Sequence, residues 1–190
     1  MLKDIDNVEK LYDYIRKNIK YGFKAKDFNI YCRYEMNNDM LYEYLLFNNY
    51  CLQKPSELIK SKYGICYDQV ELMRYWMIKH NYEVFTFYTP YHNHAFLIYK
   101  ENNNYNIIET SIKEYNGIHK FNSLEEALEN YKNFQLKNTK IKDIKFYKYD
   151  KAKYGCDICT FIYNITKDKK LIKKIKLKYG KRPKKNDIIL

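Results

Sequence analysis

The chain has 190 residues, 46% of them hydrophobic and 18% aromatic, which suits one domain with a sizeable core. No apolar run approaches the roughly 20 residues that span a bilayer, and Met1–Asp6 carries neither a basic nor an apolar leader, so a soluble, cytoplasmic protein without a membrane span is expected. The formal charge of +12 is concentrated at the end, where residues 167–190 carry eleven basic residues against two aspartates, and a body this close to balance argues against a protein built to wrap nucleic acid.

In chain order, residues 6–20 form an amphipathic helix, with Val8, Leu11, Tyr12, Ile15 and Ile19 at helical spacing and Gly22 as its stop. A second helix is expected over 38–50. Pro55 opens a short helical turn that Lys62-Tyr63-Gly64 breaks. Residues 66–80 make the most apolar helix, whose broad face (Val70, Leu72, Met73, Trp76, Met77) calls for a central position. Strands follow at 83–89, 94–99 and 105–110, the last two joined by the turn Lys100-Glu101-Asn102-Asn103-Asn104. Ser123 and Glu126 form a capping box that opens a helix to about Phe134. A strand over 141–149, a helix from Asp157 to Ile165 and a basic helix or tail over 167–190 complete an α+β pattern, with domain limits read as 1–166 and 167–190.

Gly64-Ile65-Cys66-Tyr67-Asp68 sets Cys66 in the first turn of the central helix, where unpaired backbone N–H groups and the positive end of the helix dipole favour a thiolate. Gly64 permits the sharp turn into the helix. A thiol nucleophile needs an imidazole from another element, and His94 opens an alternating strand. If 94–99 and 105–110 form a hairpin turning at Glu101-Asn102, Glu109 falls opposite His94 or diagonal to it, close enough to fix the ring. His92 competes for the same role. His80 ends the central helix and is structural, and His119 lies in a loop without a role. The Cys66 backbone N–H is the natural first oxyanion donor, and Gln53 is a candidate for the second.

These residues resemble the transglutaminase-like superfamily of papain-like cysteine enzymes. The resemblance rests on the Gly-x-Cys turn heading an apolar helix, a strand opening His94-Ala95-Phe96, a strand ending Ile107-Ile108-Glu109-Thr110, and a leading helix closing Asn18-Ile19-Lys20-Tyr21. It implies a central helix packed on an antiparallel sheet, a Cys66–His94–Glu109 triad, and hydrolysis of an amide or peptide bond through an acyl-enzyme. Acyl transfer to an amine would use the same residues. One departure is the acid, Glu109, where the family usually carries Asp.

Other readings compete. His92-Asn93-His94 lacks the separated elements of a nuclease metal site. Cys156-x-x-Cys159 without a second pair is half of a zinc site and reads as structural thiols, and five cysteines in an irregular pattern do not form a disulfide framework. The chain contains no phosphate loop or dinucleotide fingerprint, so no cofactor is implied. The basic end could be a solvated helix face or a contact for an anionic partner, which leaves a non-catalytic binding module as the rival to an enzyme acting on a peptide or amide substrate.

Overall fold

The computed structural model describes residues 2, 4–36, 38–137, 139 and 141–183. Within them α1 (Val8–Asn18) starts at an Asn7 cap that accepts the Lys10 N–H at 2.8 Å, and buries Val8, Leu11 and Ile15, the stripe its spacing predicts. The helix stops at Ile19, three residues before Gly22. Gly22 serves instead in a small antiparallel pair, β1 (Gly22–Lys24) with β2 (Ile30–Cys32), where a Cβ would meet the Tyr31 carbonyl at 2.5 Å. Three-residue strands are too short to print an alternating pattern, which is why this pair is not legible in the sequence.

Next come α2 (Asp39–Asn49), α3 (Pro55–Ser61) and the central α4 (Cys66–Lys79), the helix boundaries agreeing with expectation to within one or two residues. Ten of the fourteen residues of α4 are buried, polar Asp68, Gln69 and Glu71 among them. The helix packs against the middle of a five-stranded antiparallel sheet built from β3 (Glu83–Thr89), β4 (His94–Glu101), β5 (Asn104–Glu109), β6 (Gly117–Phe121) and β7 (Tyr147–Tyr149), in the order β6-β5-β4-β3-β7. α5 (Leu124–Leu136) covers the other face. Its Ser123 cap accepts the Glu126 N–H at 3.1 Å, while the Glu126 carboxylate reaches back to the Asn122 N–H at 2.8 Å.

Strand alternation divides the core. Ala95, Leu97, Tyr99 and Ile108 pack with α4, while Phe96, Ile98 and Ile107 pack with Ala127 and Tyr131 of α5. With both faces covered, β4 is buried from His94 through Tyr99. Two expectations need correction. His119 is not in a loop but in β6, paired with Ile107, an edge strand whose partial burial masks its period. Of residues 141–149 only the last three form a strand, because only they reach β3; Ile144 is buried from extended chain outside the sheet.

The C-terminal helices α6 (Ile158–Thr166) and α7 (Lys169–Tyr179) return to the α4 side, burying Ile158, Phe161, Ile162 and Ile175 in the main core. Residues 184–190 of the basic end lie outside the described residues, as do Met1 and Lys3. Among the described residues no helix is long and apolar enough to cross a membrane.

Candidate active site

Cys66 is the first residue of α4, and the turn that delivers it is built around Asp68. One Asp68 oxygen accepts the Ile65 N–H at 3.0 Å; the other accepts the Gln53 N–H at 2.9 Å and the Tyr50 hydroxyl at 3.0 Å. Burial pushes the Asp68 carboxyl up to about 7 although these three donors pull the other way. The sequence reading of Gly64 gains a physical cause here: a Cβ would stand 2.5 Å from a Leu58 methyl and 3.0 Å from the Asp68 Cβ, so the position demands space. Gln69, one turn on, donates to the Gly64 carbonyl at 3.0 Å and accepts the Thr110 hydroxyl at 2.6 Å. The head of α4 is thereby tied to the residue that follows Glu109.

His94 is delivered by a tight turn over Tyr91–Asn93, with His92 and Asn93 in the left-handed region at φ 59° and 50°. Asn93 tolerates that conformation better than His92. The turn is held by two tyrosines. Tyr67, the neighbour of Cys66, donates to the Asn93 carbonyl at 2.9 Å and lies 2.6 Å from its side-chain oxygen, to which Tyr88 also donates at 3.0 Å. The residue after the thiol therefore grips the residue before the imidazole.

The β4–β5 hairpin closes through Asn102-Asn103, both at positive φ, so that Glu101 faces Asn104 and Leu97 faces Ile108. This register sets Glu109 diagonal to His94 rather than opposite it. The longer side chain closes the gap: His94 Nε2 donates to Glu109 Oε2 at 2.8 Å. The same oxygen accepts the Tyr131 hydroxyl of α5 at 2.8 Å, and Oε1 accepts the backbone N–H groups of Ser111 at 2.7 Å and Ile112 at 3.2 Å. With Nε2 committed to the acid, Nδ1 is left for Cys66, whose sulfur is near enough to help raise the ring.

The electrostatics follow from burial and pairing. Cys66, His94 and Glu109 are 3%, 5% and 2% exposed. Burial alone would pull the His94 imidazole down, but the Glu109 carboxylate and the Cys66 sulfur outweigh it and raise His94 from 6.5 to about 10. For Glu109 burial pushes up, and His94, the Ser111 N–H and the Tyr131 hydroxyl outweigh it, holding the acid below its ordinary range. Such an arrangement can hold an imidazolium beside a sulfur and return its proton to a leaving group.

The Gln53 amide is engaged by its own neighbours. Its side chain donates to the Tyr63 carbonyl at 2.8 Å and accepts the Ser61 hydroxyl at 2.8 Å, so both ends of the amide are bound within the α3–α4 connection. Tyr21 lines the same recess as Cys66, and burial, with the sulfur adding to it, raises this phenol well above its ordinary value. Tyr21, Tyr67, Asn93 and Tyr131 were not singled out for the site by sequence reasoning. Tyr21 entered only as the close of the leading helix, while the others act through contacts with no local signal.

The remaining candidates fall elsewhere. His92 is exposed, lies tilted against the Tyr91 ring and makes no bond to Glu109; burial, His94 and Lys178 lower it. His80 caps α4, with Nδ1 2.8 Å from the Trp76 carbonyl and its ring 3.8 Å from the indole. All five cysteines are free thiols. Burial pushes Cys156 up to about 11 and also raises Cys51 and Cys159. Among the described residues no group of three or more His, Cys, Asp or Glu could hold a metal ion.

A buried helix headed by a thiol and packed on an antiparallel sheet, with an imidazole and a carboxylate on adjacent strands, is an α+β core of the transglutaminase-like kind. A sequence model of the family described as transglutaminase-like domain matches residues 2–147, more than half of the chain, and the protein belongs to that family. No curated protein matches the chain. The family match ends at the first residue of β7, so α6 and α7 lie beyond it.

Proposed function

We propose that the protein is a cysteine hydrolase of amide or peptide bonds. Cys66 attacks the carbonyl, His94 carries the proton from sulfur to the leaving amine, and Glu109 holds the ring in the tautomer that presents Nδ1. Water then resolves the acyl-enzyme, with His94 acting as base. The Cys66 backbone N–H is the first oxyanion donor, and the Tyr21 hydroxyl is better placed than Gln53 for the second. The observation that carries this reading is the buried His94 imidazole bonded to a carboxylate whose every lone pair is engaged, with the Cys66 sulfur acting on the same ring from the head of the central helix.

Alkylation with limiting iodoacetamide, followed by mapping of the label, tests it. Cys66 is expected to react ahead of the other four thiols, and His94→Ala to abolish the preference. Equal labelling of all five thiols would refute the proposal.

A further inference from the structure

A groove of about 1350 Å³ has His94 in its lining. That volume exceeds the roughly 300–1,000 Å³ of small-molecule pockets and suits a length of extended chain. The recess that holds Cys66 shares Tyr21, Asn93 and Tyr179 with the groove, so an occupant of one lies beside the other. One wall is α7, whose Leu171, Lys174, Ile175 and Lys178 recur at the spacing of a single helix face. Ile175 is buried in the main core, and Tyr179 packs on Phe47 of α2 with ring centroids 6.2 Å apart, which fixes this wall in place. It lies beyond the family-matched residues.

The charges along the groove are unequal. Lys113 follows β5, Lys137 caps the end of α5, and Lys174 and Lys178 belong to α7, so four exposed ammonium groups enter from three parts of the chain. None of the four is within ion-pair distance of a carboxylate among the described residues. Of the other charged groups in the lining, Arg33 is paired with Asp39 at 3.2 Å, Glu43 feels Arg33 and Lys178, and Glu114 follows Lys113 directly. Like charges set along one cleft repel each other and attract an anion.

The two glutamates bear on which anion fits. A nucleic-acid strand carries a phosphate at every step and would meet Glu43 and Glu114 unfavourably, whereas a polypeptide carries carboxylates only where its sequence has them. We infer that the groove binds an acidic stretch of polypeptide as the substrate of Cys66, and that Lys174 and Lys178 of α7 are the residues that select it. The inference rests on the proposed cysteine chemistry and adds the class of substrate. An exposed ion pair contributes little by itself, so recognition comes from several lysines acting together and weakens with salt.

Fluorescent peptides of one length, alternating glycine with glutamate, glutamine or lysine, test it by anisotropy against the full chain carrying Cys66→Ala, beside an oligothymidylate of matching charge. The glutamate peptide should bind at least about fivefold tighter than the glutamine peptide, as several exposed pairs together would give, and the lysine peptide should be weakest. Lys174→Glu with Lys178→Glu should remove that advantage. Lys173→Glu with Lys176→Glu changes the same helix by the same charge outside the groove lining, and should keep it. Lys174→Gln with Lys178→Gln retains good helix formers and should also lower the advantage, so a fold lost to charge reversal would not decide the result. In the wild type the glutamate peptide should slow alkylation of Cys66 by iodoacetamide. Equal affinity for the glutamate and glutamine peptides, equal losses in the two charge reversals, tighter binding of the oligothymidylate, or binding that leaves Cys66 unshielded would each overturn the inference. A Cys66 that labels ahead of the other thiols beside a groove indifferent to peptide charge defeats the inference alone. A Cys66 no more reactive than the other four defeats the cysteine chemistry on which it rests.

Discussion

His94 carries the clearest pH signature of any residue in the site. Its proton is held more tightly in the folded chain than in the unfolded one, so the stability gained from pairing with Glu109 is complete below about pH 6.5 and is lost as pH rises through about 10. The imidazole should therefore show no titration by NMR between about pH 5 and 8. In Glu109→Gln the larger of the two groups that raise it is gone, burial is opposed by the Cys66 sulfur alone, and a titration should appear in that range. A wild-type ring that titrates near 6.5 would contradict the pairing. Tyr131→Phe removes one of the donors to the same carboxylate and should cost about 2 kcal/mol in denaturant unfolding, since hydrogen bonds to charged groups are the stronger ones. Asp68→Ala strips the acceptor from three donors at once and should cost about 3 kcal/mol, with slower alkylation of Cys66 as the head of α4 loosens.

At the scale of elements, the sequence made the helices and the three central strands legible because each is long enough to display a period. The Cys66 helix, the His94 strand and the Glu109 strand were placed from that signal and from the order of their residues. Register was harder. The hairpin was read as turning at Glu101-Asn102, whereas the chain turns at Asn102-Asn103, where asparagine tolerates the left-handed backbone. Glu109 still reaches the ring because glutamate is one methylene longer than aspartate, so the departure from the family's usual acid and the observed diagonal geometry fit together. β1, β2 and β6 stayed hidden because they are short or half-exposed edge strands, and the Tyr67–Asn93 and Gln69–Thr110 struts because no local pattern encodes them. Gly64→Ala should cost about 1–3 kcal/mol, as the added methyl must displace Leu58, which is fully buried, or Asp68. The two histidines of the 91–94 turn can also be separated. His92→Gly suits the left-handed backbone and should keep the labelling preference of Cys66 that His94→Ala loses.

For the whole molecule, composition foretold a single well-filled core, and the two faces of the sheet provide it. The C-terminal end was less legible. Its lysines dominate the sequence, whereas its structural contribution comes from Leu171, Ile172 and Ile175, a narrow stripe that packs onto the main core. A chain ending at Thr166 would bare that surface. It should melt at a lower temperature than the full chain and bind a hydrophobic dye, while a chain shortened only to Pro183 should do neither. Equal melting temperatures for the two truncations would show that α7 contributes nothing to the fold.

The hydrogen bonds from Tyr67 to Asn93 have one more consequence. They make the spacing between sulfur and imidazole depend on a turn with two residues of left-leaning backbone as well as on the sheet behind it. Warming should release that small clasp well before the strands separate. The preferential labelling of Cys66 should then be lost while the circular dichroism still looks native, and it should return on cooling because nothing larger has come apart.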